Sequence, residues 1–289
     1  MSDLRPAAVA GTFYPRVPTE LAAAVGACFD DATARARATD MASARPRSFD
    51  GAPGTRPVAD ASRPKALIVP HAGYVYSGAI AAAAYARLAD AGEPIRRVVL
   101  FGPTHRVPLR GLAVPSAHAF ATPLGNVGVD RAAVNAALAL PQVRASDAAH
   151  AFEHSLEVQL PFLQAVLRDF EIVPFAVGDA TPGEVAEVME LLWGGPETLL
   201  VVSSDLSHYH RYADAQALDR ATAAAILSLS ATLVHEQACG ATPVNALLLS
   251  AREHGLRPKL LDLRNSGDTA GDRSRVVGYA SFAFGASSE

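Results

Sequence analysis

The feature that most constrains this chain is a repeated alternation along its length. Short apolar runs stop abruptly at turn or polar residues, and Ala-rich stretches with helical spacing lie between them. The runs are residues 66–70, 98–101, 172–177 and 199–202, with a further one, VVGYASFAF, at 276–284. The helical patterns are 79–88, 131–140, 156–167, 182–192, 213–227 and 243–254. Strands alternating with helices build an α/β layer structure around a largely parallel sheet. The end of the chain breaks that rule: 259–263 and 276–284 are separated only by the polar loop RNSGDTAGDRSR, so this pair is antiparallel. The chain therefore predicts a single α/β domain over 1–289, with a central, largely parallel mixed sheet flanked by helices. Its 289 residues are ample for a real core. Residues 31–65 depart from the pattern. They are rich in Ala, Arg, Pro, Asp and Ser without an apolar period, and read as a mobile surface insertion.

Composition excludes several classes. Half the residues are hydrophobic and 19% charged, the balance of a globular protein. The net charge is −4 with no basic stripe, which argues against nucleic acid as a partner. No apolar run approaches the roughly 20 residues that span a bilayer, so no membrane partner is expected. The start, MSDLRPAAVAGTFYP, lacks the features of a signal peptide. With only two cysteines, Cys28 and Cys239, the reading is a cytoplasmic protein with reduced thiols.

The polar residues that end the strands carry the chemistry. His71 follows the run at 66–70, in VPHAGYVYSG. His105 follows the next, in VVLFGPTH. Asp205 and His208 follow a third, in LLVVSSDLSHYH. The carboxyl ends of parallel strands share one edge, where ligand sites form. Three strands thus deliver His, His and Asp-x-x-His toward one place. Taken singly, each histidine also reads as a capped or half-exposed residue. Gly73 is expected to permit the tight exit from the strand, and Ser77 to open the following helix. His154, in AFEHSLEVQLPFL, precedes an amphipathic helix that Ser155 or a neighbour caps, with Glu153 and Glu157 near its positive end. Thr242 and Pro243 read as N-cap and first helical residue, so Cys239 just ahead is expected to have a lowered pKa. The alternative for Cys239 is a small buried hydrophobe, the reading given to Cys28. Tyr209 and His210 line a pocket or stack outside it. His118, His150, His235 and His254 read as structural. Ser203 and Ser204 permit a serine-hydrolase reading, but no nucleophile elbow is present.

Six segments, RPAAVAGTFYP, VPHAGYVYSG, GPTH, FEHSLEVQLPFL, SSDLSHYH and ACGATP, occur in the order seen in Memo-family proteins, and the chain resembles that family from about residue 5 to 284. Bacterial and archaeal members are also called AmmeMemoRadiSam system protein B. The family is similar in fold to class III extradiol dioxygenases of the LigB type, which hold non-haem iron with two histidines and a carboxylate. The resemblance implies metal ligands at His71, His105 and Cys239, the cysteine standing in place of the carboxylate. It implies catalytic pocket roles for His208, Asp205 and His154, with His208 as the acid–base histidine, and places Tyr14 at the pocket border. It also implies radical-SAM and AMMECR-type protein partners. The longer segment at 31–65 departs from the family pattern.

Three protein ligands leave positions open, as in a reactive site. Two imidazoles and a thiolate suit iron(II), copper or zinc, and disfavour magnesium or calcium. Replacing a carboxylate by a thiolate changes the chemistry, so ring cleavage does not follow from the fold. Three functions fit these residues: an iron or copper redox protein, dioxygenase-like; a peptide- or protein-binding module with a structural or vestigial metal; and a zinc-dependent hydrolase.

Overall fold

Residues 66–69, ALIV, are four apolar side chains in a row, and all four are buried. The same holds for all six residues of TLLVVS at 198–203. Such continuous burial means both faces of each strand are covered, as in the middle of a parallel sheet between helices. The computed structural model describes residues 3–43, 63–88 and 94–286.

In chain order it contains strand β1 (Leu4–Arg5), helix α1 (Pro18–Ser43), strand β2 (Ala66–Val69), helix α2 (Tyr74–Tyr85), and strands β3 (Arg97–Pro103), β4 (Leu112–Val114), β5 (Ala119–Thr122) and β6 (Gly125–Val129). Helix α3 (Arg131–Ala137), strand β7 (Val143–Ala145), helices α4 (Asp147–Ala151) and α5 (Leu160–Val166), strand β8 (Glu171–Val177) and helix α6 (Pro182–Leu191) follow. The chain ends with strands β9 (Thr198–Ser203) and β10 (His208–His210), helices α7 (Tyr212–Leu227) and α8 (Ala241–Glu253), and strands β11 (Leu256–Asn265) and β12 (Val276–Ala286).

One mixed sheet joins these strands in the order β1-β5-β6-β8-β3-β9-β2-β12-β10, with β11 on β12 and β4 on β8. Its centre, β6-β8-β3-β9-β2, is parallel throughout. The antiparallel pair foreseen near the end is β11 with β12, and β12 also runs antiparallel to β2. Helices flank the sheet: α1 packs with α2 and α5, and α6 with α8. Among the described residues, no helix is long and apolar enough to cross a membrane.

Local chemistry sets several boundaries. Helix α6 starts where Thr181 accepts from Glu184 N–H while the Glu184 side chain takes Thr181 N–H, a capping box with Pro182 at the first position. Helix α2 starts three residues before Ser77, at Tyr74, with Gly73 as an N-cap lacking a side chain. Ser77 therefore does not open the helix; its hydroxyl donates to Ala72 O. Gly73 has φ −57°, open to any residue, so the exit from β2 makes no demand for glycine. Helix α8 likewise starts at Ala241 with Gly240 as N-cap, ahead of the Thr242–Pro243 pair.

The expectation of an insertion at 31–65 needs correction for its first part. Residues 31–43 are the second half of α1. They hold no Gly or Pro, and are dominated by Ala and Arg, which favour helix. The apolar period is missing because this half of the helix stands in solvent, with Ala32 its one buried residue among 31–39. Residues 44–62 lie outside the described residues.

Candidate metal centre

Strands β3, β9 and β2 are neighbours in register, with Val69 opposite Ser203 and Phe101 opposite Val202. Their carboxyl ends therefore finish at one level. His71 lies two residues past β2, His105 two past β3, and Asp205 two past β9. The parallel register alone brings these side chains to one edge.

A fourth residue joins them from the loop between α4 and α5. His71, His105 and His154 each present a ligand atom, and the three atoms lie within 4.8 Å of one another. The His105 and His154 ring centroids are 4.6 Å apart, and those of His71 and His105 5.2 Å. His154 thus stands inside the histidine group. Phe13 covers the His154 ring at 4.6 Å.

Hydrogen bonds decide which ring nitrogens are open. The Ser203 hydroxyl has one proton, and it is donated to Ser155 O at 2.6 Å. Toward His71 Nδ1, 2.9 Å away, Ser203 can only accept. Nδ1 of His71 therefore carries the proton and Nε2 the lone pair. Burial, with the neighbouring histidines, pushes the His71 pKa well down, so the ring is neutral. At His105 the partner of Nδ1 is a carboxylate. Its Nδ1 is 2.9 Å from Glu153 Oε1, which leaves Nε2 open. Glu153 is buried, and its carboxylate also accepts from the backbone N–H of His105, His154 and Ser155. Against the cost of burial, these donors hold its pKa at about 2. A carboxylate behind a histidine is the usual device for orienting a metal-binding ring. Sequence reasoning assigned Glu153 to helix capping. Its partner His105 is 48 residues away, and only the fold reveals the pair.

His154 Nδ1 lies 3.2 Å from Glu153 Oε1. The two are not aligned for a hydrogen bond, and Nδ1 is buried without a partner. Burial holds His154 at about 4, hence neutral at pH 7. Three histidines whose ligand atoms converge, with Nε2 left over on His71 and His105 and a buried nitrogen of His154 without a partner, are a donor set that fits a metal ion.

Cys239 lies at the edge of this group. Its Sγ is 3.3 Å from His71 Nε2 and accepts from Asp205 N–H at 3.3 Å. Gly240 makes the approach possible: a Cβ there would lie 2.7 Å from Ser204 Cβ. The lowered pKa expected for this thiol is not what the fold produces. Burial, and then the charge of Asp205, push it up to about 12. Without a metal the thiol keeps its proton and can donate it to the open nitrogen of His71. Cys28 is packed against the core from α1, and burial raises it to about 11.

Asp205 and His208, three residues apart, do not hydrogen-bond to each other. His208 Nδ1 is held by Leu206 O at 2.8 Å. Asp205 instead accepts from His71 N–H at 2.7 Å. Its burial outweighs that bond and raises its pKa to about 7. Burial lowers the pKa of His208. Tyr14 is buried with its hydroxyl donating to Glu157, part of a network with Arg5 that fixes the N-terminal segment.

A cleft of about 1190 Å³ opens beside the histidines. His105, His208 and Cys239 line it, together with Arg106, His210 and His235. His235, read as structural from its context, is thus part of the cleft wall. His210 is a lining residue, while Tyr209 points outward and is 63% exposed.

Comparison with known proteins agrees with the six motifs. The Memo family, described as Memo-like protein, matches residues 5–283. The chain belongs to the Memo family. A MEMO1 family protein of Ignicoccus hospitalis is 37% identical over 298 residues, covering 97% of this chain and 98% of that one. Those of Sulfolobus acidocaldarius and Aquifex aeolicus are each 34% identical; they cover 98% and 97% of this chain and 99% of their own. Full-length coverage makes this Memo chain a whole-chain relative of these proteins, not one sharing a single motif.

Proposed function

We propose that this Memo-family chain is a metal-dependent redox protein with iron(II) or copper held at His71 and His105. His154 completes the group that the side chains already form, and Cys239 is within reach as a thiolate once a metal displaces its proton. The observation that carries this reading is the pair of set tautomers. Ser203 and Glu153 occupy Nδ1 of His71 and His105, so each ring has Nε2 left for a metal, and His154 adds a third ligand atom to the same group. Neutral imidazoles with a sulfur at hand suit borderline and softer ions.

When bound, such an ion supplies electron transfer or oxygen chemistry to a ligand in the cleft. The chain's own residues supply the rest. Glu153 keeps His105 in one tautomer. Burial of His71, and the partial burial of His154, keep both rings from protonating at neutral pH. His208 is anchored at Nδ1 by Leu206 O, so its proton there stays in place and Nε2 is the atom that takes or returns a proton at the cleft.

Elemental analysis of protein purified without oxygen tests this reading. His71→Ala and His105→Ala should lose most of the iron or copper found in wild type. Comparing His154→Ala with Cys239→Ala identifies the third ligand. Full metal content in both His71→Ala and His105→Ala would refute the centre. Oxygen uptake by the loaded protein separates redox chemistry from zinc-dependent hydrolysis.

A further inference from the structure

The cleft contains a charge that the protein itself does not answer. Arg106 immediately follows His105 and lines the same cleft as His105, His208 and Cys239. It is exposed, and it makes no hydrogen bond or ion pair among the described residues. Arg110, on the same loop, shows the contrast: it reaches Asp179 at 3.5 Å and Glu184 at 3.3 Å.

None of the carboxylates near Arg106 pairs with it. Glu153 is taken up by His105 and three backbone N–H groups. Asp205 is buried against His71 N–H. Glu236 lines the cleft but forms no pair with Arg106. Asp179, the other carboxylate of the wall, pairs with Arg110, and the remaining titratable groups there, His208, His210, His235 and the protonated thiol of Cys239, bring no negative charge. A planar, permanently charged fork at the mouth of a cleft is suited to a carboxylate or a phosphate, each of which it can grip with two parallel hydrogen bonds.

We propose that Arg106 recognises an anionic group, a carboxylate or a phosphate, on the ligand that enters this cleft, and so positions the rest of that ligand over the histidines. This rests on the reading of the cleft as the mouth of a metal centre, and it names the class of ligand admitted there. Inorganic phosphate and benzoate carry the two anionic groups in simple form, and benzamide is the neutral counterpart of benzoate.

Calorimetric titration of the full chain with each probe, at low salt and with metal content measured on the same samples, is the test. Wild type should bind at least one anion and bind benzamide much more weakly. Arg106→Ala should weaken anion binding by about ten- to a hundredfold, the range for a charge-assisted hydrogen bond, with metal content unchanged. Arg106→Lys should recover more of the phosphate affinity than of the benzoate affinity, because lysine keeps the charge and loses the fork. Whichever anion binds more tightly identifies the group. Equal anion affinity in wild type and Arg106→Ala overturns the proposal, as does benzamide binding as well as benzoate, or neither anion binding in the millimolar range. The two readings fail separately. Anion binding that depends on Arg106 in a protein that takes up no metal removes the metal centre and keeps the anion site. Normal metal content with an indifferent Arg106→Ala does the reverse.

Discussion

Replacing Glu153 by glutamine is the sharpest perturbation of this site, because it changes a charge without changing a shape. Four N–H groups converge on the two carboxylate oxygens: His105 Nδ1, His154 N and Ser155 N on Oε1, and His105 N on Oε2. Glutamine offers one acceptor oxygen and an NH₂ that can only donate. Whichever way the amide turns, at least one N–H faces another donor in a buried place. A buried donor left unsatisfied costs about 1–3 kcal/mol. The titration behaviour gives a second route. The Glu153 pKa falls from 4.5 to about 2 on folding, which corresponds to about 3 kcal/mol of preference for the ionised form. A depressed carboxylate contributes stability above its unfolded pKa and loses it as pH falls through the folded value. The whole contribution is therefore present at pH 7 and disappears between about pH 4.5 and 2. The two routes, about 1–3 and about 3 kcal/mol, overlap near about 3 kcal/mol, the loss expected for Glu153→Gln in urea denaturation of the metal-free protein at pH 7. Because the same change frees the His105 ring, metal affinity should also fall by about 10- to 100-fold in a chelator competition. Stability within about 0.5 kcal/mol of wild type, together with unchanged metal affinity, would refute the role given to Glu153.

Other outcomes follow from the same geometry. His208→Ala should keep its metal and lose about 10²- to 10⁴-fold in any redox turnover; metal loss equal to that of His71→Ala would make His208 a ligand instead. His150 is fully buried with Nε2 on Ala113 O, and burial holds its pKa at about 4. A depressed histidine contributes stability that is complete above about pH 6.5 and declines toward pH 4, by up to about 3 kcal/mol. Asp205, raised to about 7, works in the opposite sense over part of that range. The term is therefore read as the difference between wild type and His150→Gln, whose stability should fall less on acidification; identical slopes would contradict it. Gly78→Ala would place a Cβ 2.6 Å from Cys28 Sγ where α1 crosses α2, and should cost about 1–3 kcal/mol. Adding Cys28→Ala should restore most of that loss, and a neutral Gly78→Ala would show that the helices separate freely.

Much of the architecture was legible because the signals are local. Continuous apolar runs ended at polar residues, and the helical spacing over 182–192 anticipated α6. The same locality placed His71, His105, Asp205 and His208 beyond strand ends. Order in the sheet is not local. That β3, β9 and β2 are adjacent, so that their ends meet, is a property of pairing between strands about 100 and 130 residues apart. The short strands β4 to β7 and β10 escaped detection because three to five residues carry too little period to register. The second half of α1 escaped because a solvated helix has no apolar face to display.

The chemistry of the site divides in the same way. Residue types and motif order determined the family and the set of candidate side chains. Which nitrogen of His71 and His105 is open depends on Ser203 and Glu153, and the motif containing each histidine is silent about both. The state of Cys239 was misjudged from its place before a helix, since a helix terminus acts over one turn whereas desolvation depends on everything packed around the sulfur. Asp205 and His208, three residues apart, invite pairing by spacing, yet the backbone turns between them so that Asp205 meets His71 and His208 meets Leu206. Sequence spacing sets which groups are near along the chain. Tautomer, protonation and partnership are set by the distances across it, and those come into being only when the strands have paired.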